Sequence, residues 1–322
     1  MRSTRFACGF LAAAIAAGTF AAPARASDIS KYLPDGTLLV VTLNLKQLMD
    51  APLVKQDEQA FKAGMEAMTK TLEGFGVNPT QDLTRVILAG APDPRRTVLL
   101  LEGNFDADKF NKKIKELAAD KKNNISEGGD GAKVKHFKFK IPPGALPQPG
   151  MPNEFVFAHL DKNFLVAAAD VEALQDAVAK RDGKKADVGK EIVELIGKIN
   201  PKQTLSLVVV PAPEMLAGSP VDGLTSVTGG VTVGDGIKTD ILLATKDGDT
   251  AKNLAQMITE GLNQVKQILP IIAAQQPNFG PKEQKMVQDV MDTFKATAAE
   301  NGVMLRGNIT KEFIEKNAKP SK

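Results

Sequence analysis

The sequence predicts an α+β protein of two similar halves, each a mainly antiparallel sheet with helices packed on one face, related by a diverged duplication. Three observations lead there. Short alternating apolar runs bounded by Gly, Pro and Asp read as strands, and longer stretches with apolar residues three and four apart read as helices. The order in which they occur over residues 33–183 then returns over 190–318.

The chain opens with Arg2 and Arg5, an Ala-rich apolar stretch over residues 6–22, and the small-x-small pattern Ala24-Arg25-Ala26. This is a signal-peptide pattern with cleavage expected between Ala26 and Ser27, so the predicted organisation is 1–26 signal peptide, 27–185 first α+β domain and 186–322 second α+β domain. Cys8, the sole cysteine, precedes the apolar stretch, where a lipid-attachment site would need it after. Cleavage after Ala26 leaves 296 of the 322 residues without any cysteine, so no disulfide supports the fold. It also takes Lys+Arg from 41 to 38, against 38 Asp+Glu, and a net charge of zero gives no global attraction to nucleic acid or an anionic membrane. No later apolar run reaches the roughly 20 residues of a membrane span.

Pro34-Asp35-Gly36 turns the chain into a strand over 37–45, with Leu39, Val41, Leu43 and Leu45 on one face. Phe61, Met65, Met68 and Leu72 then share one stripe of a helix, where methionines are core filler more often than a ligand groove. Strands follow over 84–89 and 97–103, and Asp106 caps a helix that buries Phe110, Ile114 and Leu117. Residues 134–141 alternate with a change of phase that a bulge near His136 would reconcile. A hairpin over 154–160 and 164–169 turns at Asp161-Lys162-Asn163, Asp170 caps the next helix, and Gly183 ends it. The Lys/Gly-rich stretch 180–190 reads as the boundary between halves. In the second half, strands over 204–210, 227–233 and 237–244 precede a helix over 249–269. A helix over 283–299, with Val287, Val290 and Phe294 inward, a strand over 303–309 and a short terminal helix complete the chain.

Leu33-Pro34-x-Gly36 at the strand entry, with Gly76-Val77-Asn78-Pro79-x-x-Asp82 before the second strand, resembles a group of uncharacterised secreted proteins of planctomycete-type bacteria. The resemblance covers mainly residues 33–105 and implies export and an α+β fold; it carries no catalytic residues.

The residues of chemistry are sparse. His136 and His159 are the only histidines, both in predicted strands, and could meet across a sheet; satisfied sheet histidines outweigh a metal pair. Ser219 lies between Gly218 and Pro220, not in a Gly-x-Ser-x-Gly elbow. The glycines from Gly229 to Gly236 lead into a strand, where a phosphate loop opens a helix. Asp247-Gly248-Asp249 lacks the later ligands of a calcium loop and suits a helix cap. The absence of Trp and the single tyrosine, Tyr32, argue against aromatic platforms for sugars or single strands. Ten lysines between Lys109 and Lys140 fit a solvated helix face and a protected sheet edge better than a polyanion site.

No catalytic, cofactor-binding or metal residues are therefore assigned, no cofactor is implied, and nucleic acid is not an expected partner. The expectation is a secreted or periplasmic, non-catalytic interaction, structural or ligand-carrier module of the envelope, its partner an envelope protein or polymer. The alternative is a secreted hydrolase with carboxylate-only chemistry, marked by paired carboxylates in a cleft.

Overall fold

The structure, a computed structural model, describes residues 29–128, 135–140, 154–274 and 280–318; the signal-peptide segment, with Ala24, Ala26 and Ser27, lies outside the described residues. The described chain is α+β, and its strands pair antiparallel. It forms two compact units. One holds Asp57–Lys198 and the described residues up to Asp50; the other holds Ala51–Gln56 and everything from Ile199 onward.

The first unit contains β1 (Leu39–Asn44), β2 (Leu83–Gly90), β3 (Val98–Gly103), β4 (Ile125–Gly128), β5 (His136–Lys140), β6 (Glu154–Asp161) and β7 (Phe164–Ala168). Their order in the sheet is β1-β2-β3-β7-β6-β5-β4. The longer helices are α1 (Glu58–Gly74), α2 (Ala107–Ala119), α3 (Val171–Arg181) and α4 (Lys190–Lys198). Local chemistry starts three of them: Asp57, Asp106 and Asp170 accept from the backbone N–H groups of Ala60, Lys109 and Ala173.

This sheet is covered on both faces, where one was expected. Leu165, Phe137 and Phe157 pack with Phe110 and Ile114 of α2 and with Met65 and Leu72 of α1. Phe164 and Val166, their neighbours along the strand, must face the other way. There the ring of Tyr32 packs tilted against Phe164, centroids 4.9 Å apart, and α3 packs against β6 and β7. Two-sided burial erases alternation, which corrects two readings. In β1 the deeply buried residue is Val40, not the Leu39, Val41 and Leu43 face, and Leu45 instead opens the short helix Leu45–Asp50. In β5 the described residues His136–Lys140 pair with β4 and β6 without a register shift, so no bulge falls among them, and His136 and Phe137 are both buried on opposite faces. Met68's side chain, Val134 and Ile141 lie outside the described residues.

The stretch read as a boundary is a fastening. Lys180, fully buried on α3, donates to the Leu33 carbonyl at 2.6 Å and pairs with Asp35 at 2.8 Å and Asp176 at 2.5 Å. Lys184 pairs with the same two carboxylates, and the Asp187 N–H donates to Asp35. With Ile192 and Ile196 of α4 buried as well, the first unit extends to Lys198, beyond the predicted limit at 185.

The second unit contains β8 (Leu205–Val209), β9 (Leu224–Val233), β10 (Ile237–Thr245), β11 (Lys295–Ala299) and β12 (Gly302–Ile309), ordered β8-β9-β10-β12-β11. Its longer helices are α5 (Gly248–Ala274), α6 (Pro281–Asp292) and α7 (Lys311–Ala318). Here helices lie on one face: Ile237, Thr239 and Ile241 of β10 are buried, while of the alternate positions Lys238 and Leu242 are exposed and Asp240 is half-buried. Residues 51–56 join this unit because the Leu53 N–H donates to the Gly234 carbonyl and its side chain packs with Val231, Ile237 and Ile309. The helix predicted over 283–299 ends at Asp292. Lys295–Ala299 instead forms a hairpin with β12.

Both units share a strand order. Three consecutive strands are followed by a helix, and a later hairpin enters the sheet through its second strand, β7 beside β3 in one and β12 beside β10 in the other.

Candidate functional site

The two histidines do not meet. Phe137 and Phe157 are opposite one another and share a face, so His159, two residues after Phe157, lies on the α2 side and His136 on the other. The ring of His136 lies over Gly128, where a side chain would come within 2.5 Å of Nε2. His159 sits 6.4 Å from the ring of Phe110, and its buried Nε2 has no hydrogen-bond partner among the described residues. Among the described residues no group of three His, Cys, Asp or Glu side chains could hold a metal ion.

Burial lowers the pKa of His159, against a smaller opposing pull from Asp161. The native state thus favours the neutral ring, and the proton binds better to the unfolded chain. His159 stability is complete above the ordinary value of about 6.5 and is lost as pH falls below it. His159→Phe should therefore lose less stability than wild type between pH 7.5 and 5. The check is the urea midpoint at both pH values, read by the fluorescence of Tyr32, the only tyrosine in a chain without Trp. Equal acid losses in the two proteins would remove the role of His159.

Gly76, Val77 and Asp82 of the turn signature line a depression of about 290 Å³, together with Asn104, Phe105, Asp106, Lys109 and Phe110. It contains two carboxylates, Asp82 and Asp106, and each already holds backbone. Asp82 accepts from the Asn78 N–H at 2.7 Å, and Asp106 from the Lys109 N–H at 2.9 Å. A second depression, of about 310 Å³, lies between α5 and β11, lined by Leu262, Asn263, Lys266 and Phe294. Its Lys266 is tied to Asp292 at 2.5 Å.

The other sequence candidates take structural roles. Asp247 accepts from the Thr250 N–H at 2.7 Å at the start of α5, and Asp249 pairs with Lys252. Ser219 Oγ accepts from the Val221 N–H within a turn. The glycines from Gly229 belong to β9 and its hairpin with β10, and Gly229 has φ +140°. In the lysine-rich segment, Lys113 pairs with Glu116 and Lys138 with Glu154.

Sequence reading missed one feature. Eight large apolar side chains are exposed among the described residues, and four of them, Met257, Val265, Ile268 and Ile271, belong to α5; the others occur one to an element. With Gly261 they recur at intervals of four, four, three and three residues, a single stripe of a helix. Ile268 is 47% exposed and Ile271 60%. The buried stripe of α5, Ala251, Leu254, Ala255 and Ile258, packs on Val303 and Leu243. At 100° per residue the exposed stripe lies beside it, so the helix carries more apolar surface than its sheet covers. The spacing was visible in the sequence, but spacing alone does not say which of two adjoining stripes a sheet will cover. No described helix is long and apolar enough to cross a membrane.

No family model matches the chain, and no curated protein does. Among solved structures it is similar to TP0453. Crystal form III matches at a TM-score of 0.48 and 6% identity, covering 89% of this chain and 96% of that one. Crystal form I matches at 0.46 and 8%, covering 89% and 95%.

Proposed function

We propose that this chain is an exported, non-catalytic interaction module of the cell envelope, engaging a protein or polymer through the exposed apolar stripe of α5. The export half of the reading rests on the N-terminal signal pattern with cleavage before Ser27. The interaction half rests on the gathering of Met257, Val265, Ile268 and Ile271 on one helix. Single exposed apolar residues are ordinary, whereas a contiguous run of them marks a contact surface. The carboxylate-only hydrolase is disfavoured because Asp82 and Asp106 are each held by a turn or cap hydrogen bond, which leaves neither aimed as a free acid or base.

The test pairs binding with turnover. Protein captured from envelope extracts should fall at least about tenfold on Ile268→Glu with Ile271→Glu, because burying two such side chains is worth more than the 1.4 kcal/mol of one decade. A panel of glycosidase, esterase and peptidase substrates should give no turnover. Turnover abolished by Asp82→Asn or Asp106→Asn would overturn the reading in favour of the hydrolase.

A further inference from the structure

We infer that the outer edge of β11 binds peptide: an extended segment of a partner protein adds there as a further antiparallel strand, with an apolar side chain under α5 and a carboxylate against Lys295.

The backbone sets the class of partner. β11 stands last in its sheet and, among the described residues, is paired on one side only, by β12. Ala299 and Gly302 are partners across the two-residue loop Glu300-Asn301, and a pair that closes so short a loop exchanges both of its hydrogen bonds. Alternation then turns the N–H and C=O groups of Thr297 and Lys295 toward β12 and those of Ala296 and Ala298 outward. Donors and acceptors repeated every second residue along a line are met by another extended backbone. Edges are ordinarily guarded by proline, a bulge or an inward-pointing charge. β11 has no proline, its register with β12 does not shift, and both residues turned outward are alanines.

An added strand has a place for its side chains. Ala296 packs with Ala251, Leu254 and Val303 on the α5 side, and Ala298, two residues on, shares that face. Residues opposite one another in an antiparallel pair also share a face, so partner side chains opposite the two alanines point toward α5. That helix lies chiefly over β11, and the depression of about 310 Å³ between them is lined by Leu262, Phe294 and Ala296. Alanine leaves this space open to a leucine or phenylalanine opposite Ala296.

Charge selects the neighbouring position. On the other face of the sheet Lys295 lies opposite Arg306, which pairs with Asp240 at 2.9 Å. Lys295 itself has no ion-pair partner among the described residues. Like charges directly opposite are unfavourable, so a carboxylate on the added strand, opposite Lys295, relieves the pair and completes the row from Asp240. This surface is separate from the exposed apolar stripe. At 3.6 residues per turn, Leu262 and Lys266 lie about half a turn around α5 from it.

The experiment follows the anisotropy of a fluorescein-labelled peptide, Thr-Leu-Thr-Phe-Glu-Thr, titrated with the full chain. In antiparallel register its Leu lies opposite Ala298, its Phe opposite Ala296 and its Glu opposite Lys295. Dissociation at about 10–100 µM is expected. N-methylation of the Phe, whose N–H donates to the Ala296 carbonyl, should weaken binding at least about tenfold; N-methylation of the Thr between Leu and Phe, whose N–H points away, should change it less than about twofold. Lys295→Glu should weaken binding about threefold and reverse the preference to a peptide with Lys in place of Glu. Ala298→Pro, which removes an outward N–H and leaves the bonds to β12 in place, should abolish binding at an unchanged melting temperature. Should that variant unfold, the two N-methyl peptides decide alone. Equal losses on both N-methylations, or no binding at about 1 mM, would overturn the inference. So would a wild-type dimer in sedimentation that Ala298→Pro dissolves, since the edge would then belong to a second copy. Ile268→Glu with Ile271→Glu should leave peptide affinity unchanged, so this inference and the reading of the stripe fail separately.

Discussion

Lys180→Met is expected to cost the first unit about 3–5 kcal/mol, the range found when one partner of a buried ion pair is removed and the other is left uncompensated. Against a typical total of about 5–15 kcal/mol this is a large fraction. The ammonium group is wholly buried and holds three acceptors, the Leu33 carbonyl, Asp35 and Asp176. Methionine fills the volume but leaves two carboxylates facing each other with only Lys184, half exposed, to neutralise them. Lys184→Met should cost far less, because an exposed lysine contributes as surface pairs do. Tyr32 reports the difference in a urea titration, since it lies next to Leu33 and donates to Asp161 in the same unit. A Lys180→Met midpoint within the shift of Lys184→Met would show that the network carries no such weight.

The same network sets an acid limit. Partial burial alone would raise the pKa of Asp35, but hydrogen bonds from Lys180 and the Asp187 N–H, with the charges of Lys180 and Lys184, hold it at about 2 instead of 3.8. A depressed carboxylate stabilises the fold above its unfolded value and loses that contribution as pH falls through the folded one. About 2 kcal/mol should therefore disappear between pH 4 and pH 2, a window well below that of His159. In Lys180→Met most of this step should be gone.

What was legible in the sequence was local. Asp106 and Asp170 cap their helices as read, because a cap needs only the residue and the next three. The hairpin of β6 and β7 turns at Lys162-Asn163, with Asp161 accepting from the Asn163 N–H. Long-range contacts defeated the rest. Lys295-Ala-Thr-Ala-Ala suits a helix by composition and becomes a strand because β12 offers it a partner, an example of tertiary pairing overriding propensity. The stretch after Lys180 looks like a linker until Asp35, some 145 residues earlier in the chain, is brought against it. His136 and His159 were placed on strands, but which face each took depended on a register that alternation could not give where both faces are buried.

Gly229→Ala is expected to destabilise the second unit by about 3 kcal/mol or more, and this outcome separates a hairpin from a phosphate-binding loop. Two penalties coincide at this residue. Its φ of +140° lies in a region that side-chain-bearing residues rarely adopt, at a cost of about 1–3 kcal/mol. An added Cβ would also stand 1.9 Å from the Asp240 carbonyl oxygen, which belongs to the paired strand β10 and cannot swing aside as a long side chain could. Relief requires the β9–β10 ladder to part at Ile241, opposite Gly229, and Ile241 is buried under the helices. Gly234, in the turn of the same hairpin, has open space around it, so Gly234→Ala should change the melting temperature little. Were these glycines a cradle for phosphate, Gly229→Ala would melt like wild type and lose affinity for nucleoside phosphates. A hairpin residue gives the reverse, because its glycine answers to the neighbouring strand and to no ligand.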